Sequence, residues 1–371
     1  MTYDAIVIGG GLAGCSAALQ LARKDHRVLL LEKGTYPQHK LCGEFLSPEV
    51  QGLCGNLGVL DAMHEAGAHP IEHARVTTAD GITFESDLPG TALGLSRYRL
   101  DQLLFKHAGA AGVDGRTGKR VRAVDGSLDH GFTVSTRDEQ FTGRVVLGAY
   151  GKRGLLDRTL ERDFLQKRSP FVAFKAHFEG VSMPGQIELH AFDGGYCGLS
   201  HVEEGRVNVC WIAREDTLTA AGGKPEAMIA HSLAENDALA DRLGKMTRVS
   251  DTFHAISQIS LARKAPFERD VCMIGDTAGM IAPLCGDGMA MALHSATLAV
   301  PPASNFLNGR ITADEFRTRY AEVWNRDFNR RMQVGRWAHR GYIRPLLANT
   351  AVQLCRVVPA LGRWLIRTTR G

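Results

Sequence analysis

The sequence predicts an α/β fold: a Rossmann-like domain, an antiparallel β-sheet domain beside it and a helical C-terminal region. Three observations predict it. A strand–glycine turn–helix–strand unit opens the chain over residues 3–32. Segments of alternating polarity fill the middle of the 371-residue chain. A second buried-strand pattern ending in a Gly-Asp corner lies at 271–279.

The opening unit carries the most chemistry. Tyr3-Asp4-Ala5-Ile6-Val7-Ile8 is an apolar, β-rich run of strand length. Gly9-Gly10-Gly11-Leu12-Ala13-Gly14 follows as a GxGxxG, then a helical pattern over 12–24, then Val28-Leu29-Leu30-Leu31 ending in Glu32. Gly9 permits the tight turn, Gly11 lets a pyrophosphate approach the backbone, and Gly14 lets the helix pack on the strand. The helix N-terminus, at Leu12 and Ala13, offers free N–H groups and partial positive charge to phosphate. Glu32, eighteen residues past Gly14, stands where a carboxylate accepts ribose hydroxyls, with Lys33 beside it. An acid there repels a 2′-phosphate and disfavours NADP at this site. A lone GxGxxG is also what a Gly-rich turn looks like. The whole unit points to a dinucleotide, without separating FAD from NAD.

Composition sets the bounds. The chain is long enough for two packed domains. At 44% hydrophobic and 23% charged it reads as an ordinary globular protein. A net charge of +4 gives no reason to expect a nucleic-acid partner. The eight cysteines form no CxxC and no zinc-ligand spacing, so no metal site is expected. Free thiols and the absence of a leader before the first strand lead to a cytoplasmic expectation. No apolar run reaches the roughly 18–20 residues of a spanning helix.

The second motif names the cofactor. Val271-Cys272-Met273-Ile274-Gly275-Asp276-Thr277-Ala278-Gly279 leads through Pro283 to Gly286-Asp287-Gly288-Met289-Ala290. It resembles the second flavin-binding motif of the para-hydroxybenzoate hydroxylase and geranylgeranyl reductase superfamily of FAD-dependent flavoproteins. The resemblance implies a glutathione-reductase-type FAD-binding fold. It implies that Asp276 bonds a ribityl hydroxyl, and that the helix opening at Gly288 aims its N-terminus at the flavin N1/O2 edge, with Gly275, Gly286 and Met289 around the ring. Reduced flavin carries negative charge there, which a helix N-terminus stabilises. The stretch Lys40-Leu41-Cys42-Gly43-Glu44-Phe45-Leu46-Ser47-Pro48 resembles the loop that touches the flavin through Cys42, Gly43 and Phe45. By the same resemblance Arg97 reaches the FAD and Val121 sits beside the adenine. The alternative for Arg97 is a solvated first-turn side chain, and for Cys42 a small buried hydrophobe.

The FAD-binding domain is therefore discontinuous, at about 1–70, 96–155 and 265–300. The β-sheet substrate domain takes 71–95 and 156–264, and the C-terminal helices take 301–371. Its expected strands are Ala74–Glu85, Phe171–Phe178, Gln186–His190, Tyr196–His201, Arg206–Ile212 and His254–Ser260. Their alternation suggests an antiparallel sheet with one covered face. Residues 224–246 read as a helical excursion. The last helix, about Pro345–Arg367, mixes Leu, Val, Ile and Trp364 with arginines of a basic tail that runs from Arg330 to Arg370. It is either an ordinary packed amphipathic helix or a peripheral membrane contact.

The choice of flavin chemistry rests on departures from the family's patterns. The prenyl reductases carry a Tyr-x-Trp; here Tyr196-Cys197-Gly198 keeps the Tyr and loses the Trp. The halogenases share a Gly-Glu-x-x-x-Pro, met by Gly43-Glu44 to Pro48, but their tryptophan signature is missing. The hydroxylases carry an Asp where Tyr150 stands, in Gly148-Ala149-Tyr150-Gly151-Lys152-Arg153. The leading expectation is a monooxygenase. NADH or NADPH would reduce the flavin as a transient donor, through Lys152 and Arg153 or without them. O₂ would be activated at flavin C4a, and a mostly apolar, aromatic or polyketide-like substrate would be oxygenated in a cavity that excludes water. The alternative is a reductase of C=C bonds in an isoprenoid, lipid or quinone. Halogenation and pure electron transfer rank below both. Tyr196, Trp211, Phe45, His190 and Pro283 are the expected cavity residues, and each can equally be core packing.

Overall fold

The computed structural model describes residues 2–166 and 168–368, so Arg370 lies outside the described residues. The first sheet has a parallel core in the order Val271–Met273, Gln140–Gly148, Thr2–Ile8, Val28–Leu31, Asp114–Arg116. Phe267–Glu268 adds an antiparallel edge, and the hairpin Ala123–Ser127/Gly131–Ser135 pairs with the outer half of Gln140–Gly148. The near-continuous apolar runs of these strands follow from burial on both faces. Ala5, Ile6 and Val7, for example, are fully buried between neighbours on either side. Helices Leu12–Ala22, Arg97–Ala110 and Gly288–Leu307 pack around this sheet.

One pairing joins the two ends of the sequence. Cys272 lies opposite Leu147 and Ala5 opposite Val145, so Gln140–Gly148 is flanked by the first strand and by the strand of the second motif. Both glycine corners thus emerge at carboxyl ends of parallel strands of one sheet, where ligands of open α/β folds bind.

The second sheet has nine strands. Its main path is Thr247–Arg248, Phe171–Glu179, Val207–Arg214, Gly195–His201, Gly185–Phe192, His69–Thr77, Thr83–Gly94, Phe45–Leu46. Four sequence expectations need correction here. The segment Ala74–Glu85 is not one strand but the two arms of a hairpin that turns at residues 78–82. The sheet is not wholly antiparallel, because Gly185–Phe192 pairs in parallel with His69–Thr77. Nor is it covered on one face. Phe171–Glu179 has seven consecutive buried residues, with helices Pro225–Glu235 and Asp237–Leu243 on one side and the C-terminal helices on the other. Alternation persists because each face meets a different layer. The expected strand over 254–260 is only His254–Ile256.

The C-terminal part is helical, as Ala313–Tyr342, Pro345–Val357 and Pro359–Thr368. The final helix expected over 345–367 is broken at Val358. Pro359 lacks an N–H and disfavours a helical residue before it, so it starts a new helix instead of continuing the old one.

Trp211 sets the second core. It is 1% exposed, stacks on Phe174 at a centroid distance of 5.3 Å, and donates from Nε1 to Ser232 Oγ at 3.2 Å. Trp211→Ala is expected to cost about 3–5 kcal/mol in urea unfolding, as a large-to-small core change does. The visible spectrum of bound flavin should be unchanged in the folded fraction.

Candidate active site

The first corner is held by contacts that leave no room for side chains. Gly9 has φ +108°, and a Cβ there would lie 2.4 Å from the Ala149 carbonyl oxygen. A Cβ on Gly14 would lie 1.8 Å from the Gly9 oxygen, so Gly14 joins helix to strand and does not line the cavity. Gly11 caps helix Leu12–Ala22 without a side-chain hydrogen bond, which leaves the first-turn amides open. Glu32 is 3% exposed and accepts from the Gly10 amide at 2.7 Å and the Gly34 amide at 2.9 Å. Burial opposes its ionisation, but Lys40 and these amides outweigh it and hold the carboxyl below its ordinary range. Tyr36 closes the corner with its hydroxyl donating to the Gly10 carbonyl.

Arg97 is not solvated. Its guanidinium makes a bidentate pair with the fully buried Asp101 at 2.6 and 2.8 Å, and Lys40 joins the same carboxylate at 2.7 Å. A Cβ on Gly11 would sit 3.5 Å from the guanidinium, so an anchored cation faces the glycine turn. Lys33 and Val121 line the same end of the cavity.

The second corner mirrors the first. Gly275 and Gly286 have φ of +59° and +68°. Asp276, Gly288 and Met289 line the cavity with them. Helix Gly288–Leu307 also starts without a side-chain cap, because the carboxyl of Asp287 turns instead to Ser47 Oγ at 3.0 Å and Arg331 at 3.4 Å. Burial, with Glu49 nearby, pushes Asp287 up to about 9. Its carboxyl is thus engaged away from the helix, and the first-turn amides at Gly288 and Met289 keep no side-chain partner. Lys264 underpins the corner, donating to the carbonyls of Asp276 and Lys152 at 2.8 Å each, and burial lowers it to about 8.

The loop between the corners is tied from beneath. Glu44, with φ +55°, is fully buried and receives the Lys175 ammonium, His177 Nε2 at 2.6 Å and the Arg97 amide at 2.8 Å. Burial pushes Glu44 up, but Lys175 and His177 outweigh it and hold it down at about 2. His39 and Glu44 line the cavity, while burial and then Lys175 lower His39 to about 4. Cys42 accepts from the Glu44 amide at 3.4 Å and lines the cavity beside Gly43.

Both corners and the loop open into one cavity of about 1070 Å³ that continues past them into an apolar chamber. Tyr196, Phe45 and Pro283 line it. Trp211 and His190 do not, and these two expectations are corrected. Strand alternation sends Cys210 and Ile212 to the cavity and Trp211 to the opposite face. His190 likewise points away, with Nδ1 2.8 Å from Thr77 Oγ1 and Nε2 3.0 Å from Glu188. It is a satisfied core histidine.

A family model described as an FAD binding domain matches residues 2–314. The chain belongs to this family of FAD-binding flavoproteins. It is 24% identical to digeranylgeranylglycerophospholipid reductase 2 of Methanopyrus kandleri, over 89% of this chain and 84% of that one. It is 25% identical to menaquinone reductase of Mycobacterium tuberculosis, over 88% and 81%. The solved structure of the flavin-dependent brominase Bmp2 shares the fold at TM-score 0.83, 19% identity, and 100% and 93% coverage. The chain is an FAD-dependent oxidoreductase.

The residues present fit FAD. Two uncapped helix N-termini face one cavity, with Glu32 at one end and Asp276 at the other. A Cβ added at Gly43 or Gly288 would meet no atom within 4 Å, so the backbone is open to a flat ring at both places. FAD supplies two-electron redox chemistry when bound; the chain supplies the cradle, the charge and the dry wall. Sequence reasoning missed Tyr36, Asp101, Lys175, His177 and Lys264. They lie outside any glycine motif, and only the fold brings them to it.

Asp276→Ala should raise the Kd for FAD about ten- to a hundredfold, the value of one hydrogen bond to a charged group, in a fluorescence titration of the apoprotein. Glu44→Gln strands the buried Lys175 and should cost about 3–5 kcal/mol in urea unfolding. The pH dependence has a definite sign. Glu44 is held below its unfolded value, so its contribution is full above the ordinary carboxyl range. It is lost as pH falls from about 4.5 towards about 2. Wild-type stability should drop through that window, and the variant should drop less.

Proposed function

We propose that this flavoprotein reduces a C=C bond of a long, mostly apolar isoprenoid or quinone-bearing lipid. One observation carries the reading: an apolar chamber lined by a buried hydroxyl that has no hydrogen-bond partner among the described residues. Its walls include Val76, Phe84, Ala173, Leu189, Ile212 and Met280. Tyr342 turns its hydroxyl away to the carbonyls of Thr77 and Leu189, both at 3.1 Å. The Tyr196 hydroxyl is buried with no hydrogen-bond partner among the described residues. Leaving such a group unsatisfied costs about 1–3 kcal/mol, which a substrate carbonyl or hydroxyl recovers on binding.

In this reading Tyr196 orients a polar head beside the flavin, and the chamber holds an apolar tail. Gly198, where the prenyl reductases carry Trp, leaves the wall open and widens the space for the tail. The high coverage of reductases acting on prenyl lipids and on menaquinone supports the same class. NADH or NADPH is the proposed donor. Arg153 is exposed at the cavity and free to meet a phosphate, whereas Lys152 is engaged with the Leu41 carbonyl at 3.0 Å.

Oxygenation is the second reading, favoured by the apolar walls, which exclude water from the reacting atoms. Dithionite-reduced protein mixed with a menaquinone or a geranylgeranyl lipid separates the two. Anaerobic reoxidation of the flavin, with a product that gains two hydrogens in its prenyl chain and none at the quinone ring or polar head, supports reduction. A product that forms only with O₂ and gains an oxygen atom overturns it. Tyr196→Phe should raise KM about tenfold while FAD affinity is unchanged.

A further inference from the structure

Among the described residues nine large apolar side chains are exposed, and all but Leu155 lie between Trp337 and Trp364. Trp337 is 69% exposed, Leu346 77%, Val357 68% and Trp364 52%. Leu347, Ala351, Leu354 and Val358 recur at helical spacing along the outer side of Pro345–Val357 and its end, while Ala348, Val352 and Cys355 pack inward. On Pro359–Thr368, Leu361 and Trp364 are exposed and Gly362 is buried against Phe84. An uncovered apolar surface of this extent marks an interaction site.

Charge identifies the occupant. No Asp or Glu follows Asp327, whereas nine arginines do. Arg340, Arg344, Arg356, Arg363 and Arg367 are exposed along the same stretch, from the end of Ala313–Tyr342 to Pro359–Thr368. The nearest acids come from the hairpin below: Asp80, which accepts from Asn349, and Glu85 and Asp87, which share a small pocket with Arg363. A second copy of the chain would set arginine against arginine. An anionic lipid surface satisfies both the apolar side chains and the cations. No helix among the described residues is long and apolar enough to cross a membrane, so the contact is peripheral.

The cavity points to the same surface. Trp337, Leu347 and Ala351 are exposed and also line the cavity, and Val352, Cys355 and Leu365 line it just beneath. The chamber therefore opens through the apolar patch. We infer that helices Pro345–Val357 and Pro359–Thr368, with Trp337, seat the protein on an anionic phospholipid bilayer and place the mouth of its chamber in the lipid.

The test is flotation of the FAD-loaded protein with vesicles of phosphatidylcholine alone or mixed equally with phosphatidylglycerol. Wild-type protein should float with the anionic vesicles, float less in high salt, and stay behind with phosphatidylcholine. Leu354→Glu with Trp364→Glu changes two exposed side chains outside the cavity. This double variant should lose at least tenfold in vesicle partitioning, with FAD content and the urea-unfolding midpoint unchanged. Wild-type protein left at the bottom of the gradient, equal flotation of the variant, or a dimer in sedimentation that the double variant dissolves would each overturn the inference. None of these readings depends on whether the flavin reduces or oxygenates its substrate.

Discussion

The strand Gln140–Gly148 is the constraint on which the site depends. It pairs in parallel with Thr2–Ile8 on one side and Val271–Met273 on the other. This register puts two glycine corners, far apart in the sequence, at the same end of one sheet. Each corner starts a helix with no side-chain cap, so two sets of free amides and two positive helix ends converge on one cavity. A ligand with a pyrophosphate and an electron-accepting ring meets both needs at once. The cavity is a consequence of strand pairing, and the cofactor is a consequence of the cavity.

The supporting charges follow the same logic. Asp101 fixes Arg97 and Lys40, Lys175 and His177 fix Glu44, and Lys264 fixes the carbonyls of the second corner. Each buried charge has a partner, as removal from water requires. Together they hold the 38–46 loop and the Gly275 turn still. Pre-set dipoles around a reacting ring are of use only when they do not have to move to accommodate it.

The parts of the protein that chain-local physics controls were legible in the sequence. Gly9, Gly14 and Glu32 could be given roles because strand, turn and helix lie next to one another. The second motif was legible by resemblance, down to the discontinuity that joins it to the first. Legibility ended where long-range packing decides. Trp211 and Cys210 are adjacent, and nothing local says which faces the cavity; the register of Val207–Arg214 decides it. His190 reads as a candidate site residue until Glu188 and Thr77 are placed beside it. The parallel pairing of His69–Thr77 with Gly185–Phe192 has no sequence signal, because these strands are separated by more than a hundred residues. The break at Pro359 did have a local signal, which the apolar content on either side of it masked.

The account as a whole rests on two corners making one FAD site, and a direct titration tests that. Apoprotein titrated with FAD, followed by flavin fluorescence and visible absorbance, should saturate at one FAD per chain with the perturbed spectrum of a ring in a dry environment. Binding at that stoichiometry should be lost together with folding when Gly14 is changed to Val, because its Cβ has no space beside Gly9. A folded wild-type protein that takes up no FAD would contradict the account.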